Sequence, residues 1–99
     1  MNSIPVGRGF DTYFGYWCGA EDYYSHAIKG AYDYNDDVAG VGADAKLRPA
    51  FEFNNTYSTP TFTARAVSII EKYTSTSPLP FFLYLPYQNV HWPLEVNRV

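Results

Sequence analysis

The sequence predicts an α/β fold with one clear helix, over about residues 59–73, and one buried strand of the parallel type, over about residues 81–86. Two patterns support these elements: apolar residues recur at helical spacing in the first segment, and they run without alternation in the second. Elsewhere the chain is rich in glycine and in aromatic residues, which make up 19% of the sequence. That composition favours long irregular loops packed by aromatic rings.

The helix is marked by its start, its end and its apolar face. Ser58 or Thr59 can cap its N-terminus, and Pro60 suits its first turn because an N–H has no intrahelical partner there. The stretch 74–80, rich in Ser, Thr and Pro, ends the helix and leads to the strand. The apolar residues that share one helical face are Phe62, Ala66, Ile69 or Ile70, and Tyr73.

The strand is predicted from the apolar run Phe81–Leu85, which prolines bound on both sides. A run of this kind is typical of a strand buried on both faces, as in a parallel sheet. A helix, a polar loop and a buried strand form half of a βαβ unit, and such a half cannot cover its own strand. We therefore expect the chain to be part of a larger α/β domain.

The acidic stretch Asp33–Asp37 places oxygen ligands at alternate positions, as the start of an EF-hand loop does. The sixth position of such a loop is glycine and the twelfth is glutamate, whereas this chain has Val38 and Asp44 there. The stretch is therefore predicted to be an exposed acidic turn, with no metal site. Later in the same region, Phe51–Phe53 is a weak strand candidate.

Composition excludes some classes of function and leaves others open. The net charge of −3 and the absence of a basic patch argue against a nucleic-acid partner. No stretch of about 18 apolar residues is present to span a membrane, and the N-terminal residues lack the apolar core of a signal peptide. Asn54 begins an Asn-x-Thr sequon, which matters only if the protein enters the secretory route.

His91 is the first candidate site residue, because it lies beyond the carboxyl end of the predicted strand, five residues after Pro86. Ligands of open α/β sheets bind just beyond the carboxyl ends of such strands, and an imidazole there can donate to a polar substrate or act as a general acid. The alternative is a loop histidine that caps the strand end by hydrogen bonding. The sequence leaves both interpretations open.

Ser25 and His26 form a second candidate, after two tyrosines. Adjacent side chains rarely reach the geometry of a catalytic dyad. The pair is therefore either a solvated turn or a hydroxyl and an imidazole that donate to an anionic group. The single cysteine, Cys18, has Glu21 and Asp22 nearby, which disfavour a thiolate, so it is predicted to be a buried small residue.

Three blocks in this order resemble the sulfatase family, and specifically arylsulfatases of the B type. The resemblance covers nearly the whole chain. The blocks are Gly7-Arg8-Gly9-Phe10-Asp11 through Phe14-Gly15-Tyr16 to Asp22-Tyr23-Tyr24-Ser25-His26; Tyr57-Ser58-Thr59 with Phe62-Thr63, Arg65-Ala66 and Ile69-Ile70; and Phe82-Leu83-Tyr84-Leu85 through Gln88, Val90-His91 and Pro93-Leu94.

The resemblance implies an alkaline-phosphatase-like α/β domain that hydrolyses sulfate esters with a formylglycine residue and a calcium ion. Residues 1–99 would be part of that catalytic domain, with a glycine- and aromatic-rich loop region (1–30), a variable acidic loop (31–56) and a helix, strand and active-site loop (57–99). His91 would match the histidine that binds the sulfate and assists departure of the leaving group. Ser25 would match a serine that contacts the sulfate in some members.

The chain also departs from the family pattern. Formylglycine is made within a Cys-x-Pro-x-Arg type of sequence, which the residues after Cys18 do not form, and the paired metal-binding aspartates have no counterpart. The resemblance thus implies a sulfuric ester hydrolase, with sulfated sugars among its candidate substrates, whose calcium ligands and formylglycine are absent from this chain. We expect the chain to need the remainder of the catalytic domain and to be inactive alone.

Two other functions stay open at this stage. The chain could be a non-catalytic remnant that binds a sulfated glycan or a protein, or part of a related phosphoesterase, because a fold alone does not fix the reaction. Family members are mostly lysosomal or secreted, so the resemblance implies one of those locations, although this chain carries no signal peptide of its own.

Overall fold

The computed structural model describes residues 3–39, 46–76 and 79–98. This part of the chain combines one α-helix with short strands, which confirms mixed helix and strand content. The elements in chain order are a 3-10 turn Pro5–Arg8, β1 (Phe14–Gly15), β2 (Ala27–Ile28), β3 (Ala31–Tyr32), β4 (Asn35–Ala39), β5 (Lys46–Pro49), a 3-10 turn Phe51–Phe53 and α1 (Ser58–Thr76).

All strand pairs in the described residues are antiparallel, so the prediction of a parallel sheet is wrong here. One sheet has the order β1-β4-β5, with Phe14 opposite Asp36, and the other is the β2–β3 hairpin. The hairpin turns through Lys29 and Gly30, whose φ angles are 50° and 80°. Positive φ at both loop residues is the conformation of a type I′ turn, which matches the twist of the two strands.

Helix α1 confirms the predicted helix and extends it by a residue at the N-terminus and by three at the C-terminus. Phe62 and Ala66 are buried, and Pro60 lies in the first turn as expected. At the next position of the apolar face the structure selects Ile69, which is half-buried, over Ile70, which is 43% exposed. The helical period alone therefore located the buried face.

The core forms where α1 crosses the three-stranded sheet. It is built on Tyr34, Ala50 and Phe62, which are buried. Tyr34 keeps its hydroxyl satisfied by a 2.5 Å hydrogen bond with the Thr61 hydroxyl. Burying a phenol requires such a partner, because an unpaired hydroxyl in an apolar interior is costly. The half-buried residues packed against this core are Phe14, Tyr16, Tyr32, Phe53 and Leu85.

The prediction that Asp33–Asp37 is an exposed acidic turn is wrong. Asp33 is buried, and its carboxylate accepts the backbone N–H groups of Trp17, at 3.1 Å, and Cys18, at 2.8 Å. Asp36 and Asp37 lie in β4 and both accept from Arg65 of α1, which is 2.8 Å from Asp36. The carboxylates are held by donors that lie far away in sequence, so the local acidic pattern could not reveal their burial.

The apolar run at 81–86 is not a strand, so this prediction is wrong as well. The segment is uncovered on one side: Phe82 is 78% exposed and Tyr84 69%, whereas Leu83 and Leu85 are half-buried. A strand forms only against a hydrogen-bonding neighbour. Among the described residues the strands pair with each other, so this segment packs through alternate side chains without joining a sheet.

Two smaller predictions are also wrong. Phe51–Phe53 forms a 3-10 turn, closed by a bond from the Phe53 N–H to the Ala50 carbonyl at 3.1 Å. Cys18 is exposed, because its backbone N–H is turned inward to Asp33 and its side chain is left outside. No helix in the described ranges is long and apolar enough to cross a bilayer.

The contact between α1 and the sheet can be tested by truncating Phe62. Phe62→Ala removes a buried ring that packs against Phe14 and Tyr34, so we expect unfolding to be easier by about 3–4 kcal/mol. Urea unfolding followed by circular dichroism measures the change. The matched control is Ile70→Ala on the same helix, whose exposed side chain predicts a much smaller loss. Equal losses in both variants would contradict the assigned helix face.

Candidate functional site

The candidate site is the turn that carries His91. The His91 N–H donates to the Gln88 carbonyl at 3.0 Å and closes the turn. Two peptide bonds of this region, Asn89–Val90 and Trp92–Pro93, are cis. The turn is fixed by two distant segments of the chain, because Tyr23 contacts its backbone and residues at the start of α1 contact its side chains.

Tyr23 is the central support of the turn. Its ring is fully buried, and its hydroxyl lies 3.1 Å from the Gln88 carbonyl and 3.0 Å from the His91 carbonyl. The same oxygen accepts the His91 N–H at 3.1 Å. The phenol has one hydrogen to share between the two carbonyls, so its oxygen contacts the backbone at both ends of the turn, and a buried hydroxyl of this kind is costly to leave unpaired. The backbone of His91 is thereby fixed.

Gln88 connects the turn to the start of helix α1. Its side chain is buried and accepts the Ser58 hydroxyl at 2.7 Å, while its amide nitrogen donates to the Glu21 carbonyl. Asn89 adds a second link, because its side chain accepts from Thr59 and donates to the Tyr57 hydroxyl. The helix N-terminus and the His91 turn are thus joined by side-chain amides.

The chain beyond the turn is held against the same tyrosine-rich surface. Glu95 accepts the Tyr23 N–H at 2.7 Å, and its carbonyl accepts the Tyr57 hydroxyl at 3.1 Å. The Tyr24 hydroxyl donates to Val96 and accepts the Arg98 N–H at 2.6 Å, and the Arg98 guanidinium lies 4.6 Å from the centre of the Tyr24 ring. These contacts hold the His91 turn from both ends.

The His91 imidazole is exposed, and its orientation is set by one hydrogen bond. Nδ1 lies 2.7 Å from the Trp92 carbonyl. A carbonyl can only accept, so Nδ1 carries the hydrogen and Nε2 is left for a ligand. In the neutral ring Nε2 accepts a hydrogen bond, and in the imidazolium it donates one. The ring is therefore suited to donate to an anion or to protonate a leaving group.

Ser25 lies in the segment that supports the turn, two residues after Tyr23. Its hydroxyl donates to the Asp22 carboxylate at 2.8 Å, and its N–H donates to the same oxygen at 2.7 Å. Partial burial alone would raise the pKa of Asp22, but the hydrogen bonds from Ser25 and Tyr24 lower it below its usual value. The Ser25 hydroxyl proton is thus directed to Asp22, and its contact with a sulfate stays a prediction.

His26 fits neither interpretation of the Ser25–His26 pair. It is fully buried, so it is not part of a solvated turn. Its Nε2 lies 3.0 Å from the Phe53 carbonyl and 2.9 Å from the Thr56 carbonyl, so its donor is directed to backbone and not to an anionic ligand. Asn54 lies in the same loop and is exposed, at the end of the 3-10 turn.

Sequence reasoning missed most of the residues that build this site. Tyr23, Gln88 and Ser58 are buried and polar, yet only their residue types are visible in the sequence. One usable signal was present: the polar residue Gln88 follows a largely apolar stretch, and a buried amide needs partners. The position of those partners, 30 or more residues earlier in the chain, was not readable.

The calcium ion that the sulfatase resemblance implies stays a prediction. Across residues 3–39, 46–76 and 79–98, no three His, Cys, Asp or Glu side chains converge in a way that could hold a metal ion. Asp33, Asp36 and Asp37 are oriented toward backbone N–H groups and Arg65 instead.

Comparison with known proteins relates the chain to a sulfatase. Arylsulfatase J of the mouse, Mus musculus, is 41% identical over 96 residues, which cover 93% of this chain and 14% of that protein. The chain therefore corresponds to a small part of this relative, and the identity supports a sulfatase relationship without pointing to the B type. No protein-family model matches the chain. No solved structure matches it either.

The support that Tyr23 gives to the His91 turn can be tested by removing one oxygen. Tyr23→Phe removes the hydroxyl that contacts the His91 carbonyl and that adds to the bond between the His91 N–H and the Gln88 carbonyl, and we expect a loss of about 1–2 kcal/mol in unfolding free energy. Hydrogen exchange at the His91 amide should become faster. Tyr84→Phe, which changes an exposed tyrosine, is the control. If both variants exchange alike at His91, the assigned support is wrong.

Proposed function

We propose that this chain contributes the substrate-contacting histidine of a sulfuric ester hydrolase. The observation that carries the proposal is the exposed His91 ring on a turn fixed by the buried Tyr23 hydroxyl. A catalytic group needs a rigid position to act at a reacting atom, and buried hydrogen bonds provide it. The identity of 41% to a mouse arylsulfatase adds the reaction class.

The role proposed for His91 follows from its hydrogen bonding. With Nδ1 bound to the Trp92 carbonyl, Nε2 is the atom that faces a ligand. As an imidazolium it would donate to the sulfate ester and then transfer its proton to the departing oxygen, which otherwise leaves as an alkoxide or phenoxide. Ser25 would contact the sulfate only after its hydroxyl turned away from Asp22.

The resemblance implies two further groups, a formylglycine residue and a calcium ion, and this chain's residues are assigned the role of neither. Formylglycine supplies the nucleophile in the family that the chain resembles, and calcium neutralises the charge of the sulfate. The residues after Cys18 do not form the formylglycine sequence, and no three His, Cys, Asp or Glu side chains converge in the described residues. The proposal for this chain is therefore limited to holding and protonating the substrate, and no step is assigned to either group.

Binding of a sulfate ester by the chain tests the proposal. We expect 4-nitrophenyl sulfate to shift the imidazole NMR signals of exposed His91, because Nε2 is its only free ring nitrogen, and to leave those of buried His26 unchanged. His91→Gln should abolish the binding, and Lys29→Gln, a change of an exposed cation in the β2–β3 turn, should not. Equal shifts in both histidines, or binding that survives His91→Gln, would count against the proposal.

The same mixture tests the expectation that the chain alone is inactive. No 4-nitrophenol should be released in calcium-containing buffer, because one positioned donor cannot replace a nucleophile. Release above that of a His91→Ala chain would overturn this expectation.

Parallel titration with 4-nitrophenyl phosphate addresses the related phosphoesterase: tighter binding of the phosphate ester would favour that reaction class.

A non-catalytic binding function is favoured by one further observation. Exposed aromatic rings lie on and before the His91 turn, with Trp92 at 69% exposure and Phe82 at 78%. Such rings present apolar faces that sugar rings or protein side chains can cover. Binding of a sulfated glycan that is lost in Trp92→Ala but kept in His91→Gln would support this second function over the first.

Passage through the secretory route, to a lysosomal or extracellular location, is part of the proposal. Its structural correlate is Asn54, whose exposed side chain can carry a glycan without displacing the core. Expressed behind a secretory leader, the chain should lose mass on treatment with a glycosidase that removes N-linked glycans. Asn54→Gln should abolish that loss, and Asn55→Gln, which keeps the sequon, should retain it. Loss of the shift in both variants would contradict the assignment.

A further inference from the structure

Glu21 and His26 flank the segment that supports the His91 turn, and their side chains meet in the interior. Both are 0% exposed, and Glu21 Oε1 lies 3.7 Å from His26 Nδ1. That distance is too long for a hydrogen bond, and within the described residues these two atoms and Glu21 Oε2 have no hydrogen-bond partner. An ionised carboxylate or imidazolium at this place would be a buried charge without a hydrogen-bonded partner. Such charges are very costly, so the neutral forms of both groups are favoured.

The hydrogen bonds of His26 define where its own proton lies. Nε2 contacts the Phe53 and Thr56 carbonyls, which only accept, so Nε2 carries the hydrogen. A neutral His26 therefore presents the bare Nδ1 lone pair to Glu21. The ring is clamped in this orientation by Tyr34, which stacks on it at a centroid distance of 4.0 Å. An acid proton on Glu21 would face an acceptor.

The surroundings of the pair favour the neutral state of both groups. Burial raises the pKa of Glu21 to about 9, and the nearby Asp33 and Asp22 carboxylates act in the same direction. Burial lowers the pKa of His26, against the opposing effect of the Thr56 and Phe53 carbonyls and of Asp22. The titratable groups that face the pair are Asp22, Asp33, Tyr13, Tyr16, Tyr32 and Tyr34.

We propose that the folded chain holds one proton between Glu21 and His26, on the glutamate, and that this buried pair positions residues 22–25 and the His91 turn most firmly in mild acid. The link to the turn is direct, because the Glu21 carbonyl accepts the Gln88 side-chain amide and Tyr23 contacts the His91 backbone. Only the use of the positioned turn for a sulfate ester rests on the proposed function; the location of the proton and the positioning of the turn do not.

The sign of the pH dependence follows from the protons bound in each state. The unfolded pair, with ordinary pKa values of 4.5 for Glu21 and 6.5 for His26, binds one proton between those values and none above 6.5. The folded pair keeps its proton on Glu21 up to a pKa of about 9. Because the folded pair then binds one proton more than the unfolded pair, stability from the pair is lost as the pH rises from 6.5 to 9.

The main experiment is urea unfolding of the full chain between pH 4.5 and 9. From pH 6.5 upward, the unfolding equilibrium constant should increase by up to about tenfold per pH unit, since one proton is released on unfolding. Glu21→Gln keeps the shape of the protonated carboxyl and removes its titration. In this variant the rise above pH 6.5 should vanish, and stability should instead fall below pH 6.5 as unfolded His26 takes up a proton.

The matched control is Glu52→Gln. Glu52 is exposed, and its hydrogen bond with Arg48 lowers its pKa to about 2, outside the tested window. Its profile should follow that of the unsubstituted chain. A profile that is flat from pH 6.5 to 9 in the unsubstituted chain, or a slope that persists in Glu21→Gln, would overturn the proposal.

NMR of the unsubstituted chain provides a second test that does not depend on the folding of a variant. At pH 7 the ¹⁵N signals of His26 should show a hydrogen on Nε2 and none on Nδ1. An imidazolium signature for His26 at pH 7 would place the proton on the histidine and overturn the assignment. The positioning role is tested by hydrogen exchange at the His91 amide. At pH 8.5 the measured exchange rate should exceed the rate calculated from global unfolding and from the intrinsic pH dependence of amide exchange. A measured rate equal to the calculated one would refute the positioning role. Loss of sulfate-ester binding alone would refute only the proposed function.

Discussion

The burial of the Tyr23 hydroxyl is the interaction on which the rest of the site depends. Its ring stacks on Tyr57 at a centroid distance of 5.4 Å, which places the phenol oxygen in the interior, where it must find partners. The backbone of the His91 turn supplies them. Because the oxygen binds carbonyls on both sides of the turn, the position of His91 follows from the position of Tyr23.

Other buried polar groups extend this constraint to the helix. Ser58 at the start of α1 and the Glu21 backbone both bind the Gln88 side chain, so the helix N-terminus and the Tyr23 segment meet at one amide. Each of these groups is buried, and each would be costly without the other. The turn is therefore held by satisfied polar contacts, while the apolar side chains around it, such as Trp92 and Leu94, remain exposed.

The sequence predicted what depends on neighbouring residues and missed what depends on distant ones. Helix α1 was predictable because its apolar residues recur with the helical period of 3.6 residues, and because Ser58 and Pro60 mark its start within the local sequence. The run at 81–86 carries a strand composition, but a strand needs a partner that no local pattern supplies. Asp33 and His26 look like surface residues by type, and both are buried because donors or acceptors from other segments meet them. His91 was found because it lies just beyond the apolar run, although the position of its backbone depends on a tyrosine 68 residues earlier.

The two histidines of the chain show how one residue type serves opposite purposes in one small structure. His91 has its backbone bound and its Nε2 free, so its ring can exchange a proton with a ligand. His26 has its Nε2 bound to carbonyls and its Nδ1 enclosed beside Glu21, so neither ring nitrogen can reach a ligand. A change in the protonation of this pair acts on the stability of the fold instead. Because Glu21 and His26 flank the residues that hold the His91 turn, the enclosed proton couples the acidity of the medium to the geometry of the exposed ring.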